Sequence, residues 1–509
     1  MKHVKGNDRS QIALIPSSLE EVIDPNSEVR VIDLFVDSLD LEELNFRLNY
    51  GENGRPAYHP SDLLKLYLYG YMNKVRSSRD LERESKCNLE AMWLMQSLTP
   101  DHNTISNFRR DNKEAIAQVF KATVKIARNF NLIGGKLIAG DSTKLRAQNS
   151  KKNNFNKKKI ERHIKLIDSS LERHNEQLAQ ADGDDKEKIQ EKIDNCNKRK
   201  DDYENLDKQI EKSGQPQIST TDPDSRNIML RNNICEVAYS VQTTVDAENN
   251  IPIDYQVTNK NDTKAMGPML ERAQEIIGHN KFTALYDKGY HNGSELKNAE
   301  DLGIETIVAI PKNNGASRAP DERYFSDKFI YNQEQDTYTC PEEQTLTTKG
   351  KWYQMKSGAN VKHYKTKACG TCPVRAMCTR SKTGRLLSRS EFQPQYENNQ
   401  KLFDQNYQLY RQRQAIVEHP YGTIKRQWGF SYIITKKGMD RASADVGLMF
   451  TAYNLRRLFS IIGQKELKKY FKEIASYSSR ILIQIKLFLS VLTTSFRNEN
   501  NCKHNLNIA

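Results

Sequence analysis

The sequence predicts a mixed α/β fold with an all-helical N-terminal region and two inserted segments of different character. Three observations carry this. Apolar residues recur at three-to-four spacing in YHPSDLLKLYLYGY (Leu63, Leu64, Tyr67, Leu68, Tyr71), the period of a helix with one buried face. Beyond residue 134, strand-like runs (KLIAG, CEVAYSVQTTV, FTALYDKGY, IETIVAI) alternate with helical ones. Between these, residues 151–213 are nearly free of strand formers and crowded with Lys, Glu, Asp and Asn.

The 509 residues make room for two to four domains, and the hydrophobic share of 37% is enough to build real cores. Lys and Arg number 78 against 65 Asp and Glu, a net charge of +13. That balance points to a polyanionic partner, with a merely basic soluble protein as the plain alternative. The start MKHVKGNDRS leads into no apolar run, so no secretory signal is expected. The most apolar stretch, ILIQIKLFLSVL (481–492), is short and interrupted by Lys486, which reads as a packed helix and not a membrane span.

In chain order, EVRVIDLFVDSL has strand character, and 41–130 reads as helices, with Pro60, Ser61 and Asp62 at a helix start. LTPDHNTISNFRRDNKEAI breaks at Thr-Pro-Asp and then carries Asn107, Arg109 and Arg110 on a helix. That fits a helix-turn-helix and an ordinary three-helix packing module equally. KLIAG is expected to be a strand ending at Asp141. Ile164, Ile167, Leu171 and Leu178 fit one heptad seam and Ile193, Cys196, Tyr203 and Ile210 another, with DGDD (182–185) between them, which predicts an antiparallel helical hairpin. Two alternating runs around DAENN predict a β-hairpin, and KAMGPMLERAQEIIG an amphipathic helix. FTALY is a strand ending at Asp287, SELKNAEDLG a helix and IETIVAI a strand. Residues 312–390 read as irregular, 391–465 as helical, and 466–509 as a basic helix or two with a disordered end.

Three acids stand in informative places. Asp141 and Asp287 each follow an apolar strand, where a carboxylate projects from the sheet while the strand stays buried. Glu418, in IVEHPYGTIKRQWG, is read as near a helix start and is followed by Lys425, Arg426 and Trp428. An acid beside a phosphate-binding cluster is tolerated when a cation stands between, and three carboxylates suit Mg²⁺, which takes oxygen ligands. Any chain with 65 acids holds many such triples, so spacing alone leaves the ordinary reading of each Asp, a turn or cap residue, in place. A second cluster, Cys340, Cys369, Cys372 and Cys378, follows Cys-x28-Cys-x2-Cys-x5-Cys. Four thiolates with one CxxC suit structural Zn²⁺, with an Fe–S cluster or four reduced cysteines as alternatives. Cys87, Cys196, Cys235 and Cys502 are scattered and read as packing or surface residues, and His363 as a surface residue.

AGDSTKLRA, LYDKGYHNGSEL and RQAIVEHPYGTIKRQWG, in that order, resemble bacterial insertion-sequence transposases of the DDE class, closest in appearance to the insertion-sequence 1182 group. The resemblance extends to YHPSDLLKLYLYGY…SSRDLERES…LTPDHNTISNFRR and to STTDPDSRNIM…VAYSVQTTVDAENNIPIDYQVTNKNDT, and covers roughly 45–460. It implies an RNase H-like catalytic core in which Asp141, Asp287 and Glu418 bind two Mg²⁺ ions, with Mn²⁺ able to substitute. The implied reaction is DNA strand cleavage by metal-activated water at the element's terminal inverted repeats, then attack of the 3′-hydroxyl on target DNA. Related transposases place Tyr, two residues, Arg, three residues, Glu, six residues and Lys around the third acid. Tyr410, Arg413, Glu418 and Lys425 fit, except that four residues separate Arg413 from Glu418, about 100° on a helix. Trp428 resembles residues that stack on an unpaired base, with core packing as its plain alternative.

The implied organisation is a helical DNA-binding domain (1–130, with Arg109 and Arg110 among its DNA contacts), a core in pieces (131–154, 214–311 and 391–465), a coiled-coil hairpin insert (155–213), a Cys-rich, zinc-ribbon-like insert (312–390) and a basic tail (466–509). Expected partners are element-end and target DNA and, in the assembled complex, a second copy of the chain, with no membrane. The expected location is the cytoplasm, with the nucleoid. The alternative function is a transposase-derived DNA-binding regulator without catalysis, though no core acid is missing.

Overall fold

The computed structural model describes residues 18–48, 56–229, 234–311, 319–355, 358–435 and 437–476. The apolar run 481–492 and Cys502 lie outside them. Helices α1 (Leu19–Val22), α2 (Val29–Asp37), α3 (Pro60–Met72), α4 (Ser78–Cys87), α5 (Leu89–Leu94), α6 (His102–Asp111) and α7 (Lys113–Asn129) come first. The segment read as having strand character is α2: Val29, Ile32 and Val36, with Val31 and Phe35, are buried at helical spacing, and that period outweighs their β-branching. α3 begins as expected, with Pro60 as its first residue and the His59 ring accepting from the Ser61 N–H.

The central sheet is built from β1 (Leu137–Arg146), then, beyond β2 (Asn154–Phe155), α8 (Lys157–Gln180), α9 (Asp184–Ser213) and β3 (Ile218–Ser219), from β4 (Arg226–Met229), β5 (Cys235–Asp246) and β6 (Ile251–Thr258). After α10 (Met266–Ile277) come β7 (Thr283–Tyr286), α11 (Gly293–Asp301) and β8 (Glu305–Val308). The order is β4-β5-β1-β7-β8, with β6 also on β5. β6, β5 and β1 are antiparallel, while β7 and β8 run parallel to β1. β1 does not end at Asp141: it pairs with β5 as far as Arg146↔Ala238, so Asp141 lies mid-strand.

α8 and α9 form the expected antiparallel hairpin. Its base is clasped by the β2–β3 pair and a small core of Phe155, Ile160 and Ile210. Residues 312–390 are not irregular. Beyond residue 318 they hold β9 (Ile330–Asn332), β10 (Thr337–Thr339), β11 (Thr345–Gln354), β12 (Asn360–Lys365), α12 (Arg375–Cys378) and β13 (Leu387–Ser390), and the strands form an antiparallel sheet ordered β13-β12-β11-β10-β9. Its core is small, chiefly Phe329, Tyr338, Leu346, Tyr364 and Leu387, so its strands carry little apolar alternation.

α13 (Gln393–Gln405), α14 (Tyr407–Tyr421), a π-helical turn (Gly422–Gln427) and α15 (Met439–Ile462) follow, and residues 464–476 are helical. α15 is buried along most of its length, packed between α7, α3 and β6. Its Asp445 is fully buried. It accepts from the Tyr71 hydroxyl and the Ile434 N–H (2.8 Å) and faces Arg76 (3.6 Å) and Arg109 (3.8 Å), which joins the N-terminal helices to the end of the chain. Among the described residues no helix is long and apolar enough to cross a membrane.

Candidate active site

The two aspartates come together through strand register. Ala139 of β1 pairs in parallel with Leu285 of β7. Side chains alternate along a strand, so Asp141 and Asp287, each two residues further on, fall on that same face. Ala139, Val245, Leu285 and Ile307 form the apolar part of the face, and Ile416 and Val417 of α14 cover it. The carboxylates therefore stand where the apolar stripe gives out. The opposite face is closed just before Asp141: a Cβ on Gly140 would lie 2.0 Å from the Tyr286 ring. Asp287 caps a short 3-10 turn, accepting from the Gly289 N–H at 2.7 Å, which fixes its carboxylate.

α14 lies across β1 and fastens to it at several points. Arg413 Nη1 is 3.2 Å from Asp141 Oδ2, and Tyr410 stands beside the same guanidinium. The Tyr421 hydroxyl donates to the Asp141 carbonyl at 3.1 Å. One turn on, Lys425 Nζ donates to Thr143 Oγ1 (3.0 Å) and the Lys144 carbonyl (3.2 Å). Tyr410, Arg413, Val417 and Tyr421 share one helix face at three-to-four spacing, so the offset of Arg413 turns it toward the sheet. Gln414 occupies the position that the family pattern gives to Arg, and its amide donates to Glu418 Oε1 at 2.9 Å. Glu418 is exposed in the last turn of α14, not near a helix start. Pro420 interrupts the helical hydrogen bonding there, and the π turn that follows carries Lys425 to β1.

The electrostatics of this corner are those of a buried acid with one cation. Burial raises the Asp141 carboxyl above its ordinary range, Arg413 opposes that, and Asp287 adds to it. For Arg413, burial works against the charge, while Asp141, Tyr410 and Asp287 more than offset it and hold the guanidinium above its usual range. Arg413 Nη1 is buried and makes no well-aligned hydrogen bond, although the carboxylate is near. Among the described residues no three His, Cys, Asp or Glu side chains are close enough to share a metal ion. Asp141 and Asp287 are the carboxylates this face brings together, with Arg413 as their counter-charge, and Glu418, bonded to Gln414, is not drawn in with them.

Sequence reasoning missed a second set of polar groups at this end of the sheet. Asp262 accepts from Lys144 Nζ (3.0 Å) and Gln242 Nε2 (2.7 Å) and lies against the Asp287–Gly289 turn, 3.7 Å from where a Gly289 Cβ would stand. Tyr290 donates to Gln242. The signal was present: Lys144 sits in AGDSTKLRA and Asp262 in VTNKNDT, two of the quoted blocks.

Other expected contacts fall elsewhere. Arg109 is buried at 5% exposure, over the Tyr67 ring and bonded to the Tyr71 hydroxyl, so as a DNA contact it is corrected to a core residue. It sits in the last turn of α6, whose Ile105 and Phe108 face inward beside it. Arg110 is exposed and forms an ion pair with Asp111 at 2.6 Å. Trp428 is buried against Phe430, the packing alternative, and is withdrawn from base stacking. Arg426 is exposed. Cys340, Cys369, Cys372 and Cys378 line one small cavity with Tyr324, Phe329 and Arg385, all four as free thiols, but not at metal-sharing distance. Burial pushes the Cys378 thiol up. Cys87 is exposed, Cys196 buried and Cys235 half-buried, and the half-buried His363 ring bonds to Ser388.

Residues 17–111 match the family described as a transposase domain (DUF772). Residues 339–459, which include Glu418 but neither aspartate, match the family described as a transposase DDE domain. No curated protein matches the chain. A cryo-EM structure of a piggyBac transposase synaptic complex with hairpin DNA aligns with 88% of this chain and 77% of that one at 8% identity and a TM-score of 0.27, a likeness too weak to carry an argument. One match thus lies toward each end: the chain is similar to a transposase domain over residues 17–111 and to a transposase DDE domain over residues 339–459.

Proposed function

We propose that the chain cuts DNA at the terminal inverted repeats of an insertion sequence and joins the freed 3′-hydroxyl ends to target DNA. The observation that carries this is the placing of Asp141 and Asp287 side by side on one sheet face, with α14 laid across them. An RNase H-like reading of the core is supported by the strand arrangement, three antiparallel strands followed by two parallel to β1. The domain divisions proposed are those of the sequence, with the α8–α9 hairpin and the cysteine-bearing sheet as the inserts.

Asp141 and Asp287 would hold Mg²⁺, or Mn²⁺ in its place, and Glu418, now bonded to Gln414, would complete the set for a second ion only by turning toward them. When bound, the ions supply charge neutralisation at the attacking and leaving oxygens and a nucleophilic water at neutral pH. In the cut, the water oxygen bonds to phosphorus, the P–O3′ bond breaks, and the 3′-oxygen leaves carrying a proton. In the joining step, the 3′-hydroxyl takes the place of the water. Arg413 has a partly unsatisfied guanidinium at the carboxylate pair, the donor set that suits a phosphodiester oxygen once Asp141 has another cation. Tyr410 holds that guanidinium, Lys425 fixes α14 to β1, and exposed Arg426 meets the backbone beyond. The four cysteines share a cavity and would close on Zn²⁺ only by drawing together. Two DNA ends must be held at once, so the working form is a dimer, acting at the nucleoid.

Purified protein, Mg²⁺ and labelled element ends, beside Glu418→Gln, test the reading. Cutting by the wild type alone is expected. Binding without cutting by either protein would establish the regulator reading instead.

A further inference from the structure

From Gln344 to Ser390 the chain has seven Lys and four Arg and no Asp or Glu. The sheet of β9–β13 turns two of these inward to partners: Arg389 binds Glu397 at 2.7 Å, and Arg385 is buried at 6% exposure. Lys362 is bound to Asp336 at 2.8 Å. Lys349, Lys351, Lys365, Lys367, Arg380 and Lys382 are exposed. β12 is paired with β13 on its other side, but β11 is exposed on both faces from Lys349 to Gln354. It carries two large aromatic rings into solvent, Trp352 at 50% and Tyr353 at 45% exposure. Neither is loose. The Lys362 ammonium stands over the Trp352 ring at 5.1 Å, and Tyr353 stacks on His363 with centroids 4.7 Å apart. Adjacent residues on a strand point to opposite faces, so each face of the ribbon presents one ring.

The ribbon's own chain carries cations and no acid, although Asp336 holds Lys362 and Glu391 holds Asn360 beside it; its exposed lysines are complementary to a polyanion, and exposed rings among them supply what phosphate contacts lack, a flat surface for a base. We infer that the β11–β12 ribbon is a DNA-binding surface separate from the carboxylate site. It grips the phosphates through Lys349 and Lys351, at the irregular stretch of β11 between Thr348 and Trp352, and stacks an unpaired base on Trp352, the strand crossing the ribbon from the face of Lys351 to that of Trp352. This rests on the reading of the chain as a DNA-acting protein, but not on its catalytic mechanism. The occupant is a single-stranded segment, because base pairs in a duplex expose no face to a ring.

The test uses the full chain carrying Asp141→Asn, in EDTA, so that no chemistry enters. Anisotropy of a labelled 15-nucleotide single strand and of its duplex is measured across a salt series. Trp352→Ala is expected to weaken single-strand binding roughly 5- to 140-fold, with Trp352→Phe keeping most of it and the duplex affected far less. Lys349→Gln with Lys351→Gln should lower the slope of log K against log salt by about 1.4. The side chains are exposed, so circular dichroism should be unchanged. Single-strand binding within twofold of the parent in Trp352→Ala would overturn the inference, and so would equal losses on strand and duplex. A chain that never cuts DNA, yet behaves as expected in this assay, would overturn the catalytic proposal and leave this one standing.

Discussion

Removing the Asp445 carboxylate should unfold the join between the two ends of the chain. In Asp445→Ala the Tyr71 hydroxyl and the Ile434 N–H lose their acceptor. Arg76 and Arg109, 4% and 7% exposed in their side chains, lose the one carboxylate they both face. Breaking a buried pair by removing one partner costs about 3–5 kcal/mol, because the remaining charge stays out of water. Some of that is recovered here. Arg76 keeps the Tyr432 carbonyl at 3.0 Å and the Phe430 ring at 4.3 Å, and Arg109 keeps the Tyr71 hydroxyl at 3.1 Å. Two orphaned guanidiniums outweigh those contacts, so a loss of at least about 3 kcal/mol is expected. Asp445→Asn keeps an acceptor oxygen for one of the two donors, Tyr71 on Oδ1 or Ile434 on Oδ2, and should lose less than Asp445→Ala. Urea unfolding followed by circular dichroism measures the difference, with the slope checked for a change in cooperativity. A loss below about 1 kcal/mol in Asp445→Ala would refute the argument, since it would mean the arginines reach water when the acid is gone.

Gly140→Ala places a methyl 2.0 Å from the Tyr286 ring and should cost about 1–3 kcal/mol while shifting Asp141; a thermal midpoint equal to the parent's would contradict this. Arg413→Gln removes the cation now competing for Asp141, so calorimetric Mn²⁺ affinity should rise at least about tenfold even as DNA cutting falls, whereas unchanged affinity would mean the guanidinium leaves freely. Asp336 is held at about 2, below its ordinary 3.8, by Lys362, Tyr364 and Tyr331. A depressed carboxyl adds stability above its unfolded value and loses it as pH falls through the folded one, so wild type should exceed Asp336→Asn above pH 4 and match it near pH 2, read from tyrosine near-ultraviolet dichroism. Metal analysis of protein purified without chelator should find about one zinc per chain if the four thiols close on it, and Cys372→Ser should abolish it.

The legible features were those written in local period. The helices α3 and α10, the hairpin α8–α9, the β5–β6 turn and the alternation of strand and helix all follow from spacing within a few residues of one another. α2 was misread because Val and Ile favour strands one at a time while their joint spacing of three and four favours a helix. The sheet around the cysteines was invisible because its strands are three to ten residues, rich in Thr, Tyr and Lys, with no more than two buried positions each. Asp141 and Asp287 could be picked from sequence as strand-adjacent acids, but their meeting depends on the parallel register Ala139↔Leu285, which no local pattern records. Arg413 illustrates the opposite limit. Its offset from the family pattern counts against it on paper, and the sheet-facing side of α14 brings it to Asp141 all the same. Arg109 and Trp428 look like surface chemistry in sequence because Arg and Trp serve binding sites and cores alike, and only burial separates the two uses.

Tyr71 and Asp445 are 374 residues apart in sequence. A ribosome adding about 5–20 residues per second leaves roughly 20 to 75 s between the two. Through that interval the inward faces of α3, α6 and α7 have been made and the helix that covers them has not. The first quarter of this protein thus spends the greater part of its own synthesis as an unfinished half-core, dependent on chaperones or on slow exposure being harmless. Its folding is timed by the arrival of α15.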